Sequence, residues 1–358
     1  MNIKDNMLAV VVLFWNDSNK TIRCLKSLLS QKRQKLKIVL VDNNSNDKFV
    51  KEINSFLKKN KTTVIKINEN NKILQNIKSK KYIFYLKNKI NYGCGLGHNP
   101  GYNFCINNNF SYIARIDNDM VVPPYLMFNL VKRLEKNKNL IALSPKVMFE
   151  NEPKKIWFGG AKIGKNLKFQ KQCSNEICGE IDSVQYKGLI DTDAIVGCAS
   201  IMRAKNLKKA GLSDPEFFYG EEDIELSHRL KKTAGKIAVD LDQKIYHSVS
   251  HTVGGNWAKN IYYNYKYRLL LIKKIGSWSD KIMGYTSFIL KFIFSIFFSF
   301  NLKYSSRLVP IYLAGLHFFQ KKYGKHDRNN YTKINLFFKN FDKKTSLLKI
   351  FKILVKKT

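Results

Sequence analysis

An α/β fold built on a parallel sheet is what this 358-residue chain predicts, and three observations predict it. Leu8 to Phe14 and Lys37 to Val41 are β-branched runs of strand length. Between them Ile22, Leu25, Leu28 and Leu29 recur on one face of a helix that Ser18 can cap. Strand, helix, strand in that spacing is a βαβ unit, whose crossover makes the two strands parallel.

The alternation continues along the chain. Asp47 to Lys59 reads as a helix, residues 61–80 as an inserted polar excursion, and Tyr82 to Leu86 as a strand. A glycine-rich turn, Gly93 to Gly101, leads into a helix, and Ser111 to Ile116 forms a strand running into Asp117. The second half is less regular, with Trp157 to Gly160, an extended stretch from Asp191 to Arg203, a helix from Glu221 to Lys232, and strands at Ile237 to Val239 and Lys244 to Tyr246. Mixed or antiparallel strands packed on the first sheet are expected there. With no internal repeat and no Pro/Ser/Gly-rich linker, residues 1–255 read as one continuous domain and 256–358 as a helical, aromatic and then basic attachment. Ligands of open α/β sheets sit at the carboxyl ends of the strands, where Asn16, Asp42, Asn91 and Asp117 fall.

Composition narrows the function classes. The 63 Lys+Arg against 27 Asp+Glu give a net charge of +36, which invites a nucleic-acid or anionic-membrane partner. Only 9 of those basic residues are Arg, whereas a protein that grips phosphates and guanines bidentately leans on Arg. Half of the net charge, +18, lies in residues 256–358, so the tail is far more charged per residue than the body. The six cysteines are scattered, and the Cys173–Cys178 spacing has no second Cys or His pair to complete a zinc site. Reduced thiols of a cytoplasmic protein are the reading. The apolar run from Met7 to Trp15 meets Asn16, Asp17 and Ser18 with no small-residue cleavage site, so it reads as a buried strand and not a signal peptide.

Two acidic segments can carry chemistry. Asp117-Asn118-Asp119 follows a strand and precedes Pro123 and a helix. Two carboxylates there can hold Mg²⁺ or Mn²⁺, which take hard oxygen ligands and keep positions open for phosphate. Asp214 to Arg229 brings aromatic residues and then Glu221, Glu222, Asp223 and Glu225 to a helix start. Acids in a first turn are ordinary companions of the helix dipole, but a carboxylate at a pocket mouth can also take a proton from an attacking hydroxyl.

Taken in order, these segments resemble the family 2 glycosyltransferases of the GT-A fold, particularly the bacterial rhamnosyltransferase-like branch that builds surface polysaccharides. The resemblance runs through Val10 to Asn16, IVLVDNNSND at 38–47, NYGCGLGHNPG at 91–101, IARIDND at 113–119, WFGG at 157–160, DAIVGCASIMR at 193–203, Phe217 to Arg229 and Tyr246 to His251. It implies a Rossmann-like mixed sheet with helices on both faces. It places Asn16 and Asp42 at the donor nucleotide, Asp42 on the base or ribose, and Asn91, Gly93 and Asn99 on the neighbouring wall. Asp117 and Asp119 match the metal and diphosphate motif, with His247 completing the metal shell. Glu222-Asp223 matches the acid pair, with Asp223 as the base, and Trp157, Gly159, Gly160 and Asp193 face the acceptor and donor sugar. The implied reaction is inverting transfer of a sugar from a UDP-, dTDP- or GDP-linked donor to a glycan or polyprenyl-diphosphate-linked hydroxyl, with a divalent cation. His98 stands where an Asn is common, and Lys266-Tyr267-Arg268 where Arg-Asn is common.

Two rival readings fit less well. A nucleotidyltransferase on a related sheet announces a glycine- and basic-rich loop after the first strand, and Phe14 to Asn19 has neither Gly nor Arg. A non-catalytic nucleic-acid-binding protein accounts for the charge but not for acids clustered at Asp117, Asp119 and 221–223. In the attachment, Ile282 to Phe300 carries one charge, Lys291, and six phenylalanines. As a helix it spans about 28 Å, marginal for a bilayer core of about 30 Å, with its charge near the middle. An interfacial helix at the inner face of the cell membrane is expected, with the Lys-rich segment Leu336 to Lys357 as a basic amphipathic partner for anionic lipid.

Overall fold

The computed structural model describes residues 8–73, 82–163, 173–174, 177–248, 257–297 and 302–325. The predicted βαβ opening is present as β1 (Leu8–Phe14), α1 (Ser18–Leu29) and β2 (Lys37–Asp42), followed by α2 (Asp47–Lys59). The cap of α1 is Asp17 and not Ser18, because the Asp17 carboxylate accepts from Lys20 N at 3.0 Å. The polar excursion contains an edge strand, β3 (Thr63–Lys66), parallel to β4 (Tyr82–Lys87). Its half-exposed TVIK side chains, with no buried face, gave no alternating pattern to read.

Next come α3 (Gly95–Asn107), β5 (Tyr112–Ile116), β6 (Met120–Val121), α4 (Leu126–Lys136), β7 (Leu140–Phe149), β8 (Ile156–Phe158), β9 (Lys162–Ile163) and β10 (Cys173–Ser174). The chain goes on through β11 (Leu189–Asp191), β12 (Ala199–Arg203), α5 (Ala204–Ala210), α6 (Glu222–Lys231) and β13 (Lys236–His247). It closes the described part with α7 (Trp257–Ile275), α8 (Trp278–Phe297) and α9 (Leu302–Phe319).

Among the described residues one sheet dominates, in the order β11-β13-β7-β12-β5-β1-β2-β4-β3, with β6 on β13 and β8 on β7. Strands β3, β4, β2, β1 and β5 are parallel, and β12 joins antiparallel to β5 through Ser200↔Arg115. Strands β7, β8, β11, β12 and β13 therefore extend the first sheet and do not pack on it, while β9 and β10 form a separate antiparallel pair. The two strands expected near 237 and 245 are one, β13, with a register shift between Asp240 and Lys244. That shift lies opposite Pro145 and Lys146 of β7, which explains how a proline sits inside a central strand.

Alternate residues of β1 feed opposite faces. Leu8, Val10, Val12 and Phe14 pack with Cys24, Leu25 and Leu28 of α1 and with Leu126, Leu130 and Leu134 of α4. Ala9, Val11 and Leu13 pack with Tyr102 and Phe104 of α3, Leu207 of α5 and Leu226 of α6. Helices on both faces leave only the strand ends open to a ligand.

The three last helices pack on one another and on the body. Phe218 stacks on Tyr263 of α7 at 5.6 Å, and Phe217 lies 5.5 Å from Tyr267. No described helix is long and apolar enough to cross a membrane. The outward face of α8 is nevertheless apolar, with Ile282, Ile289, Leu290, Ile293 and Phe294 all exposed. Residues 336–357 and His251 lie outside the described residues.

Candidate active site

The carboxyl ends of β1, β2, β4 and β5 form one rim, and its first wall is a polar network. Asn16, at φ 52°, donates its backbone N–H to Ser45 Oγ (3.1 Å) and accepts at Oδ1 from Asn46 N (2.8 Å). Asp42 is fully buried, and its oxygens accept from Ser45 N and from Tyr85 Oη, each at 2.7 Å. Expected at the nucleotide, this carboxylate anchors the β2–α2 loop. The hub beside it is Asn43, a residue the sequence reading passes over. Asn43 Nδ2 donates to Asn91 Oδ1 and Gly93 O, and its Oδ1 accepts from Asn88 Nδ2 and Tyr92 N, all at 3.0–3.1 Å. Its signal in the sequence is only that a second polar residue follows Asp42 at the strand end.

Gly93 must be glycine: its φ is 83°, and a Cβ there would lie 1.9 Å from Phe218 O, the acceptor of the Cys94 N–H. Asn99 belongs to another contact, exchanging hydrogen bonds with the backbone of Ser213 at 2.8 and 3.0 Å.

The acidic centre sits between β5 and β6. Asn118 turns towards α1 and donates to Thr21 Oγ1 (2.9 Å), while the flanking aspartates serve two different groups. Asp117 Oδ1 lies 3.4 Å from Arg115 Nε and 3.8 Å from His98 Nε2. Burial pushes the Asp117 carboxyl up to about 6 against the pull of Arg115, with Asp119 adding to the rise. Asp119 Oδ2 lies 3.4 Å from His247 Nε2, and the imidazole meets Trp157 edge-on at 4.6 Å. His98 is 1% exposed and hydrogen-bonds Cys94 O through Nδ1 at 2.6 Å, so Nδ1 carries the proton. Burial, reinforced by the charge of Arg115, holds it well below the usual histidine range and therefore neutral.

No three His, Cys, Asp or Glu side chains converge on a metal position among the described residues. Asp119 and His247 are the adjacent pair, with His247 Nδ1 lacking a partner there, and Asp117 leans away towards Arg115. A carboxylate and an imidazole fit Mg²⁺ or Mn²⁺ of the kind that takes its remaining ligands from phosphate and water.

The third component is the start of α6. Gly220 (φ 88°) and Glu221 (φ 68°) are both left-handed, and three consecutive acids follow three different anchors. Glu221 Oε1 accepts from Arg268 Nε and Nη2, at 2.9 and 2.5 Å. Glu222, 5% exposed, lies 3.3 Å from Arg115 Nη2. Among the described residues Asp223 accepts from backbone donors: Gly197 N to Oδ2 (3.0 Å) and Ile224 N to Oδ1 (2.9 Å). Burial, then the charge of Glu222, pushes the Asp223 carboxyl up to about 7. Asp117 N donates to Cys198 O (2.9 Å), and the N–H of the preceding residue, Gly197, donates to Asp223, so the two acidic segments meet at 197–198.

The remaining expected residues divide. Trp157 joins the centre through His247, whereas Asp193 is engaged by Lys231 Nζ (2.7 Å) and Ile163 N (2.9 Å), which hold it below the usual range against the effect of burial. Gly159 and Gly160 lie at the end of β8, where a Cβ on Gly159 would strike Ile177 at 2.1 Å. Glu225 is tied to Arg229 at 2.6 Å and braces the helix. The structure thus gathers Asp117, Asp119, Glu222, Asp223, His247 and Trp157, and adds Arg115, His98 and Asn43.

The family model described as glycosyl transferase family 2 matches residues 9–207. Among solved structures, GalNAc-T7 with UDP, GalNAc and Mn²⁺ is similar at a TM-score of 0.51 and 16% identity, over 74% of this chain and 50% of that one. This chain thus spans about half the length of that protein, and the likeness is one of fold. S. aureus TarS 1-349 is similar at a TM-score of 0.49 and 14% identity, over 77% of this chain and 69% of that one. No curated protein matches the chain.

Proposed function

Because the chain belongs to glycosyl transferase family 2, we propose that it moves a sugar from a nucleotide-sugar donor to a glycan hydroxyl with inversion at the anomeric carbon. The observation that carries this reading is the unequal treatment of three consecutive acids. Arg268 pairs with Glu221 and Arg115 with Glu222, whereas the hydrogen bonds that Asp223 accepts among the described residues come from backbone N–H groups. Its carboxyl, pushed up to about 7, is suited to take up a proton near neutral pH.

In the proposed step the acceptor hydroxyl oxygen attacks the anomeric carbon as Asp223 Oδ removes its proton. The new C–O bond forms on the face opposite the breaking bond to the nucleoside diphosphate, which leaves with the electron pair. One displacement inverts the centre. Asp119 and His247 would hold a divalent cation, Mg²⁺ or Mn²⁺, with the donor's phosphates. When bound, that ion neutralises charge on the leaving diphosphate. Trp157 fixes the His247 ring, and the Asn43 network holds the rim that carries Asn16 and Asn91.

The test is a melting screen of UDP-, dTDP- and GDP-sugars, each with Mn²⁺ and with EDTA, because a ligand of the folded state alone raises Tm. One nucleotide is expected to raise Tm in a metal-dependent way; no shift with any donor would sink the reading. In the same screen Asp119→Ala is expected to abolish the difference between Mn²⁺ and EDTA. A retained difference would remove Asp119 from the metal site.

We place the protein at the inner face of the cell membrane, acting on a lipid-linked acceptor. Ile282, Ile289, Leu290, Ile293 and Phe294 share one exposed face of α8, and the Lys-rich residues beyond 325 supply attraction to anionic lipid. The double variant Ile289→Glu, Phe294→Glu is expected to lose sedimentation with phosphatidylglycerol-containing vesicles. Unchanged sedimentation would place the contact elsewhere.

A further inference from the structure

The turn that aims the catalytic acids is not held by its own sequence. Gly220 and Glu221 are successive left-handed residues at φ 88° and 68°, a conformation glycine adopts freely and glutamate does not. An acidic side chain at a helix N-cap ordinarily accepts from the first-turn N–H groups. Glu221 is the N-cap of α6 yet makes no such bond, because its carboxylate is drawn away to Arg268, 47 residues later on α7. The pair is largely buried, at 11% and 17% side-chain exposure. The same helix stacks Tyr263 on Phe218 and sets Tyr267 against Phe217 at a tilt, immediately before the turn.

From this geometry we infer that Arg268 is a positioning residue: it latches Glu221 in the left-handed conformation and thereby fixes where Glu222 and Asp223 point. The inference rests on the reading of Asp223 as the base. It also gives the helical C-terminal region a part in transfer that is separate from membrane attachment. Without Arg268, a buried carboxylate loses its partner in a backbone state that glutamate disfavours, and the turn relaxes to another conformation. Displacing a reacting group by about 1 Å costs on the order of 100-fold in rate.

The experiment compares Arg268→Ala, Arg268→Lys and the double variant Glu221→Gly, Arg268→Ala in the full chain. Amide hydrogen exchange over residues 217–225 needs no substrate and so tests the latch even if the functional reading fails. Turnover is read with the donor and Mn²⁺ combination that gives the largest melting shift. Arg268→Ala is expected to speed exchange in that segment roughly tenfold and to lower kcat about 100-fold, with donor KM little changed. Arg268→Lys should keep part of the rate. The double variant should regain most of it, because glycine adopts φ near 68° without the steric cost glutamate bears and leaves no buried carboxylate to compensate. Arg268→Ala failing to fold while the double variant folds would support the same conclusion. Unchanged exchange in Arg268→Ala, or a double variant no better than the single one in rate or folding, overturns it.

Discussion

Asp223→Asn is expected to lower kcat about 10²- to 10⁴-fold, the range contributed by a positioned general base, with donor affinity nearly unchanged. Asparagine keeps the shape and an oxygen to accept the Gly197 N–H, but its amide nitrogen cannot accept from Ile224 N, so it removes the charge, the capacity to bind a proton and one of the two backbone hydrogen bonds. Wild-type turnover should fall as pH drops below about 7, where the carboxyl becomes protonated. The charges that set this value are Glu222 and Glu221, which raise it, and Arg115, which lowers it. Stability should move the other way. A carboxyl whose folded pKa lies above its ordinary value disfavours the fold once ionised, so stability is lost as pH rises from about 4 towards 7. Asp223→Asn removes that penalty, and its Tm should exceed wild type at pH 8 and match it at pH 4. Full turnover by the variant would show that another group takes the proton, and an unraised Tm at pH 8 would contradict the electrostatic account.

Arg115→Met should be the most damaging change for folding. The guanidinium is 5% exposed and reaches Asp117 just past its own strand and Glu222 on α6, so its loss takes the ion-pair partner from two carboxylates at once. Removing one partner of a buried pair costs about 3–5 kcal/mol, which for a chain of this size is a fall in Tm of roughly 5–10 °C. Adding Glu222→Gln should recover part of that loss, because a neutral amide is cheaper to bury than an orphaned charge. If the single variant melts with wild type, the Arg115 contacts carry no stability; if Glu222→Gln recovers nothing, Glu222 is not the group that Arg115 compensates.

The fold was legible where burial is complete. Leu8–Phe14 is a continuous apolar strand, Lys37–Asp42 and Tyr112–Ile116 are mostly apolar and buried on both faces, and helices α1, α2 and α4 each present an apolar stripe. Thr63–Lys66 was not, because an edge strand exposed on both faces has no pattern. The reading assigns no element to Leu140–Phe149, where Pro145 and Lys146 interrupt the run. Only the bulge opposite β13 and the buried Lys146–Asp182 pair make that segment a central strand.

The site divides along the same physical line. Residue type and position at a strand end are local properties, so Asp117, Asp119 and the 221–223 acids stood out of the sequence, and the family with them. What each acid does depends on the charge opposite it, and those charges come from distant elements. Arg115 reaches Glu222 across 107 positions, Arg268 reaches Glu221 across 47, and Gly197 reaches Asp223 across 26. The sequence by itself determined the parallel strands β1, β2, β4 and β5, the acidic rim and, through the family resemblance, the class of reaction they suit. Only the tertiary structure decided that Asp223 accepts from backbone N–H groups while Arg268 and Arg115 pair with its two neighbours, and that Asp42 is an internal anchor. Burial and pairing energies belong to contacts between elements, and a linear pattern does not contain them.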